Sequence, residues 1–192
     1  MTREKLQKIF THIPTLETEH LTLRRILPED ADDMFVYSSD LSVTKYLLWD
    51  PHPDLDYTRQ YVDYLQERYA VGDFCDWALI FKHDGRMIGT CGFTNIDLPN
   101  AAAEIGYVLN PAYRGRGLAP EAARTVIGFA FEKLSLVRVS AICMKENTAS
   151  LRVMQKCGMK QEGTLRNAVY AKGEHRDVIV CSVLKSEFEE NK

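Results

Sequence analysis

The chain contains no apolar run close to the ~20 residues that a transmembrane helix needs. Its opening segment, MTREKLQKIF, lacks the apolar stretch and small-residue cleavage site of a signal peptide. The five cysteines are an odd number, are widely spaced and include no CxxC pair, which argues against a disulfide framework and a structural zinc site. We therefore expect a cytoplasmic protein with reduced cysteines and with neither a membrane partner nor a metal.

A strong excess of positive charge is also missing. The net charge is −3, which argues against general, direct binding to nucleic acid. Residues 110–160 nevertheless contain nine Lys or Arg and three Glu, a local charge of +6, which leaves −9 for the rest of the chain. The sequence therefore predicts a basic patch on an otherwise acidic protein.

Hydrophobic periodicity predicts one domain over residues 1–192, with a core of about residues 16–186. We expect seven strands: Leu21–Ile26, Trp77–Phe81, Arg86–Asn95, Ala103–Leu109, Val137–Cys143, Met159–Leu165 and Val178–Leu184. We expect four helices: Pro28–Tyr37, Asp56–Tyr69, Pro120–Lys133 and Asn147–Gly158. This order, with Asp84-Gly85 as a hairpin turn, predicts an α+β fold whose mixed, mostly antiparallel sheet is packed by helices.

Two arginines and two glycines, Arg114-Gly-Arg-Gly117, lead into the segment Leu118-Ala-Pro-Glu-Ala-Ala123, which favours a helix. Glycines let backbone N–H groups approach a ligand, and a helix start adds unpaired donors and a positive dipole end. The loop lacks the Lys-Ser/Thr of a nucleotide-hydrolysing P-loop and the third glycine of a dinucleotide fingerprint. A phosphate-bearing ligand of another kind is therefore expected.

The loop resembles the Q/R-x-x-G-x-G/A motif of the GNAT acetyltransferases, and the segment Asn147–Met159 is similar to their downstream Asn-x-x-Ser…Lys-x-Gly-Phe helix, with Met159 in place of Phe. The strand Glu104-Ile-Gly-Tyr107 and the opening LTLRRILPEDA are similar to the RimJ/RimL-like branch, the ribosomal-protein N-terminal acetyltransferases. The resemblance runs from about Leu16 to Leu184. It implies the GNAT fold, with about six to seven strands splayed at a cofactor cleft and about four helices.

The resemblance also implies acetyl-CoA as cosubstrate. The loop N–H groups would bind its pyrophosphate. The backbone of Tyr107, Val108 and Leu109 would bind its pantetheine arm, and Asn147 and Ser150 of the last helix would complete the site. The implied cofactor-binding residues are Tyr107, Val108, Leu109, Arg114, Gly115, Arg116, Gly117, Leu118, Ala119, Asn147 and Ser150. Both arginines could instead face solvent and steer the ligand, and Ser150 could simply cap the helix.

Acetyl transfer to an amine needs a proton acceptor and a donor for the departing thiolate. Glu104 resembles the general base that related enzymes place on the same strand, although an orienting role is an alternative. Ser150 or Tyr170 is the candidate thiolate donor. His52 and His175 have no partner visible in the sequence, and Trp49 and the tyrosines of the second helix could line the acceptor site or simply pack.

An α-amine titrates at about 7.7–8.0, against about 10.4 for lysine, so it needs a weaker base. The favoured acceptor is therefore a protein N-terminus, such as a ribosomal-protein tail. The alternatives are a small cationic amine (a polyamine, an amino acid or an aminoglycoside) and a catalytically silent acyl-CoA-binding sensor. A monomer and a homodimer are both compatible with the sequence.

Overall fold

The computed structural model describes residues 1–190, and its central element is one twisted sheet. The strands are β1 (Leu16–Glu17), β2 (Leu21–Arg24), β3 (Asp76–Phe81), β4 (Met87–Asp97), β5 (Ala102–Leu109), β6 (Arg138–Met144), β7 (Lys160–Ala171) and β8 (Glu174–Leu184). The helices are α1 (Arg3–Thr11), α2 (Ala31–Ser38), α3 (Leu41–Thr44), α4 (Leu55–Ala70), α5 (Leu118–Glu132), α6 (Thr148–Lys156) and α7 (Lys185–Glu190). No helix within residues 1–190 is long and apolar enough to cross a membrane.

The sheet has the order β1-β2-β3-β4-β5-β6-β8-β7. The neighbouring strands are antiparallel except β5 and β6, which α5 connects and which run parallel. These two strands pair only where residues 102–104 lie beside residues 138–140. Beyond that point they separate, so a cleft opens in the middle of the sheet between the second half of β5 and the second half of β6.

Helices cover both faces of the sheet. On the face that we call the α5 face, Trp77 and Phe93 pack edge-to-face against Phe10 of α1, and Trp77 packs likewise against Phe129 of α5. On the opposite face, the α4 face, Tyr69 of α4 donates a hydrogen bond to the backbone carbonyl of Asp76, and α2 packs against β4. Because side chains alternate along a strand, each residue of β5 belongs to one of these faces.

The predicted α+β class and mixed sheet are confirmed, but eight strands and seven α-helices form within residues 1–190. The extra elements are α1 and the short segments β1, α3 and α7. Such short pieces depend on tertiary packing, as Phe10 and Phe188 show by being buried, and carry too few residues for a periodicity signal.

Several predicted boundaries were wrong. Strand β2 ends at Arg24 instead of Ile26, and β8 begins at Glu174 instead of Val178. Asp54, and not Asp56, caps α4, since its carboxylate accepts the N–H of Tyr57 at 2.8 Å. Helix α5 begins at Leu118 instead of Pro120, because Gly117 already makes the left-handed turn before it. Strand β7 continues to Ala171 instead of ending at Leu165, supported by pairing with β8, so Tyr170 lies within a strand. Asp84-Gly85 forms the predicted hairpin turn between β3 and β4.

Candidate active site

The loop between β5 and α5 has a backbone that glycine alone adopts easily. Gly115 and Gly117 have φ values of +79° and +82°, in the left-handed region that costs a residue with a Cβ atom roughly 1–2 kcal/mol. A Cβ atom added at either position would meet nothing within 4 Å. The glycines are therefore required by the turn itself, and the space in front of the loop is open to a ligand.

This loop presents a row of unused hydrogen-bond donors. The backbone N–H groups of residues 115–119 have no acceptor among residues 1–190, and no side chain caps the start of α5. Helix α5 is 15 residues long, and its dipole leaves partial positive charge at this end. Together these features form a site for an anion such as a diphosphate.

The two loop arginines differ in their surroundings. The guanidinium of Arg116 lies 5.2 Å from the ring centre of Tyr113 and 5.9 Å from that of Phe81, and its Nη2 donates to the carbonyl of Ala112. Arg114 is exposed, and its charge helps to lower the pKa of Asp40, after the hydrogen bonds from Ser42. Arg116 thus orders the loop, whereas Arg114 adds positive charge at its mouth.

The open edge of β5 borders the cleft. Strand β5 stays paired with β4 as far as Leu109 but loses β6 after Glu104. On the cleft side, the backbone of Tyr107, Val108 and Leu109 is therefore free to bond a ligand that contains amide groups, as an added strand would. These are the three strand residues that the sequence predicts for the pantetheine arm.

Two hydroxyl groups meet across the cleft on the α5 face. Tyr107 Oη lies 2.8 Å from Ser150 Oγ and 3.0 Å from the Ser150 carbonyl oxygen. Asn147 caps α6 as predicted, since its side-chain oxygen accepts the N–H of Ser150 at 3.1 Å. Burial raises the pKa of Tyr107, so the phenol stays protonated at neutral pH. The pair therefore offers a proton donor beside the cleft.

Glu104 lies on the opposite, α4 face of β5. Its Oε1 accepts the hydroxyl of Thr94 at 2.9 Å. Thr94 occupies a β-bulge, where β4 shifts register against β5 between Phe93 and Asn95, and bulges re-aim side chains of this kind. Gly106, two residues along, has no side chain of its own, and the Thr94 methyl group packs against it, 2.8 Å from where a Cβ atom would be. The carboxylate is thus held at the point where β5 and β6 separate.

Tyr170 is apart from this group. It lies near the tip of the β7–β8 hairpin, is 66% exposed and packs its ring against that of His175. Lys172, at the hairpin turn, donates to the Trp49 carbonyl and the Asp50 carboxylate. The hairpin therefore contacts the segment before α4, and no hydrogen bond within residues 1–190 joins Tyr170 to Glu104, Tyr107 or Ser150.

An aromatic cluster forms next to that contact. The His52 ring centre lies 5.6 Å from that of Trp49, 4.9 Å from that of Tyr57 and 5.5 Å from that of Tyr61. His52 Nδ1 is within hydrogen-bond distance of the Ser38 and Thr58 hydroxyl groups, and burial lowers the pKa of His52. His52 is therefore a neutral residue that joins α2 to α4, while the tyrosines keep exposed surface.

Sequence reasoning missed three participants: the Tyr107 phenol, Thr94 and Asp76. Alternation along β5 places Tyr107 on the face opposite Glu104, but only the packing of α6 brings Ser150 to it. Thr94 contacts Glu104 because of the bulge in β4, and no pattern in the sequence predicts that bulge. Asp76 is a polar residue at the start of a strand, and the packing of α2 and α4 around it cannot be predicted from the sequence.

Removal of the Ser150 hydroxyl has a moderate expected effect. Ser150→Ala is expected to lower kcat about fivefold to tenfold, because the Tyr107 phenol remains beside the cleft, and the double variant with Tyr107→Phe is expected to lower it further. Steady-state kinetics at saturating substrates provides the measurement. The helix cap at Asn147 is unchanged, so the melting temperature of Ser150→Ala serves as the control. An unchanged kcat in the double variant would remove this pair from the chemistry.

The chain matches known acetyltransferases along most of its length. Residues 20–160 match the family model for the acetyltransferase (GNAT) domain. The chain is 39% identical to the uncharacterized N-acetyltransferase p20 of Bacillus licheniformis, with 91% of this chain and 98% of that protein covered. It is 30% identical to YdaF of Bacillus subtilis, a proposed ribosomal N-acetyltransferase, with 91% and 96% covered.

A more distant relative is the spermidine N(1)-acetyltransferase of Escherichia coli, 25% identical, with 86% of this chain and 87% of that protein covered. Among solved structures, a GNAT-family acetyltransferase from Bacillus anthracis is 28% identical and superimposes with a TM-score of 0.80, covering 90% of this chain and 99% of the other. The family-model match and these likenesses agree with the splayed sheet and the donor-rich loop. The chain belongs to the GNAT acetyltransferase family.

Proposed function

We propose that the enzyme transfers the acetyl group of acetyl-CoA to the α-amine at a protein N-terminus, as the RimJ/RimL-like branch does. The assignment of acetyl-CoA as the cosubstrate rests on the row of unpaired N–H groups at residues 115–119, which faces open space. These donors fit a diphosphate without a metal. The proposed relationship to ribosomal-protein acetyltransferases is supported by the likeness to YdaF.

The two sides of the cleft would take the two substrates. Acetyl-CoA supplies the acetyl group as a thioester. The N–H groups of residues 115–119 would hold its diphosphate, and the free edge of Tyr107–Leu109 would bond the pantetheine amides. Asn147, at the N-terminus of α6, would hydrogen-bond the pantetheine arm from the other side of the cleft. This arrangement leaves the α4 face, with Glu104, for the acceptor.

Glu104 is the proposed general base for the attacking amine, directly or through a water molecule. Its carboxylate accepts the Thr94 hydroxyl, which orients it. On the other face, Ser150 is the proposed donor to the departing thiolate, with Tyr107 supporting it through their hydrogen bond, and Tyr170 is the second candidate. Proton acceptor and proton donor would thus lie on opposite faces of the sheet, at the place where the cleft joins them.

The α-amine is favoured over a lysine side chain by its acidity. At neutral pH a useful fraction of α-amines is already neutral, because their pKa is about 7.7–8.0 against about 10.4 for lysine. The exposed tyrosines of α4, Tyr57, Tyr61 and Tyr64, offer a broad surface to a peptide. A small amine such as a polyamine is the second candidate, favoured by the likeness to the spermidine acetyltransferase.

The test is acetylation of a peptide that has a free N-terminus and one internal lysine. Thiol release from acetyl-CoA is measured with this peptide, with the same peptide blocked at its N-terminus, and with spermidine and an aminoglycoside. Mass spectrometry locates the acetyl group. We expect release with the free peptide and modification of its α-amine alone. Faster turnover of spermidine would favour the small-amine function, and tight CoA binding without release to any acceptor would favour a silent sensor.

A further inference from the structure

A partly buried carboxylate outside the predicted site lies on the α4 face. Asp76 is the first residue of β3 and stands opposite Gly92 of β4, which stands opposite Gly106 of β5. These three residues form one row across the sheet. Because neighbouring strands are about 4.8 Å apart, the row places Asp76 roughly 10 Å from Gly106, on the same face as Glu104.

Gly92 and Gly106 have no side chains, and the Asp76 side chain occupies the space above Gly92. A Cβ atom added at Gly92 would lie 2.6 Å from Asp76 Oδ1 and 2.3 Å from the Cys75 carbonyl oxygen. The carboxylate therefore lies over Gly92 and is directed across the sheet, toward β5. At Gly106, the methyl group of Thr94 lies 2.8 Å from where a Cβ atom would be.

One oxygen of this carboxylate lacks a partner. Oδ1 of Asp76 is buried and accepts no hydrogen bond within residues 1–190. The groups that feel its charge are the phenols of Tyr37, Tyr61 and Tyr69 and the thiols of Cys75 and Cys91. All of them are neutral acids at neutral pH. Arg25 lies over the ring of Tyr69, with 4.6 Å from its guanidinium carbon to the ring centre.

Burial raises the pKa of Asp76 to about 7, although the Thr90 hydroxyl and the Trp77 N–H favour the ionised form. An unpaired carboxylate at this depth destabilises the fold when it ionises. Energetically unfavourable features of this kind are found at ligand-binding sites. A cationic group of a bound ligand would pair with the Asp76 carboxylate.

We propose that Asp76 is the acceptor-binding carboxylate of this enzyme: its carboxylate, one oxygen of which has no hydrogen-bond partner, receives the ammonium group of the acceptor at the floor of the α4 face. This inference rests on the proposed function. Tyr61, 37% exposed and within the field of Asp76, and the neighbouring tyrosines of α4 form the wall along which the acceptor enters.

In the proposed reaction, Asp76 accepts the first proton from the acceptor amine. The acceptor binds as R–NH₃⁺ and gives one proton to the Asp76 carboxylate, which leaves R–NH₂ and Asp76–COOH. The nitrogen attacks the thioester carbonyl, a C–N bond forms, and the C–S bond breaks with its electron pair going to sulfur. The nitrogen loses a second proton to Glu104, and the thiolate takes one from the donor on the α5 face. Asp76 and Glu104 then release their protons to water, and the donor takes one back from water, so the net products are the amide, the CoA thiol and one proton.

The test compares Asp76→Asn with Asp63→Asn, which removes the same charge from an exposed position of α4. For Asp76→Asn we expect the KM for the free-amine peptide to rise about tenfold, an unchanged KM for acetyl-CoA, and loss of the acidic limb near pH 7 in the kcat/KM profile. Asp63→Asn should match the wild type in all three. Unchanged acceptor KM and pH profile in Asp76→Asn would overturn the inference.

Stability separates this role from a structural one. Because the pKa of Asp76 is raised from its ordinary 3.8 to about 7 in the folded state, its ionisation lowers the stability as the pH rises between these values, and the full cost is present at pH 8. Asp76→Asn should therefore melt at pH 8 no lower than the wild type. A large loss of stability would instead indicate a structural residue.

A second measurement needs no variant. Binding of the peptide to the wild-type enzyme with CoA should tighten as the pH rises through about 7, whereas its desamino analogue should show no such dependence. Equal behaviour of the two peptides would contradict the inference. If the wild type acetylates no amine at any pH, the proposed function fails; if it does and Asp76→Asn is unaffected, only this inference fails.

Discussion

Replacement of Glu104 by glutamine is expected to lower turnover by about 10²-fold or more, with acetyl-CoA binding retained. Glutamine keeps the size of the side chain and can still accept the Thr94 hydroxyl, but it cannot take a proton from the amine. General-base contributions are typically 10²–10⁴-fold. Pre-steady-state measurement of acetyl transfer at several pH values isolates the chemical step from product release.

The control for this variant is Glu67→Gln, at an exposed position of α4. It removes the same charge away from the cleft and should leave turnover unchanged. We expect the loss in Glu104→Gln to persist above the pKa of the α-amine, because a neutral amine must still give up a proton when it attacks the thioester. Near-normal turnover of Glu104→Gln at every pH would leave Glu104 an orienting residue at most.

Replacement of both loop glycines by alanine is expected to raise the KM for acetyl-CoA by about 10²-fold. Each alanine faces a left-handed backbone that costs roughly 1–2 kcal/mol, and a factor of ten corresponds to about 1.4 kcal/mol. In Gly115→Ala/Gly117→Ala the loop either stays strained or relaxes away from the geometry that presents its N–H groups. Titration calorimetry with CoA gives the affinity directly.

The matched control is Gly85→Ala/Gly173→Ala. Both glycines have left-handed φ values, +72° and +83°, and both face open space at hairpin turns. The two double variants should therefore lose similar stability in thermal unfolding, while only the loop variant loses CoA affinity. Equal CoA affinity in the two would mean that residues 115–119 do not hold the diphosphate.

The features predicted correctly from sequence are those that a short segment determines by itself. Glycines at 115 and 117 and the start of a helix are a local signal for an anion site, and Asn147 is a local cap. The β3–β4 hairpin follows from Asp84-Gly85 for the same reason. Each of these depends on backbone angles or hydrogen bonds within a few residues.

The features that sequence could not predict depend on which elements touch. Tyr107 meets Ser150 over a separation of 43 residues, and Thr94 meets Glu104 through a bulge. Asp76 is surrounded by residues of α2, α4 and β4, so neither its burial nor its missing partner is visible in the segment around it. The short elements α3 and α7 likewise have too few residues to show periodicity.

The most direct test of the two-sided cleft is a crystal structure with a bisubstrate analogue, a peptide whose N-terminal nitrogen is joined to CoA through an acetyl linker. We expect the diphosphate within hydrogen-bond distance of the N–H groups of residues 115–119 and the sulfur near Ser150 on the α5 face. The peptide should lie on the α4 face, with its N-terminal nitrogen close to Glu104 and Asp76. A diphosphate bound elsewhere, or a peptide on the α5 face, would contradict the assignment.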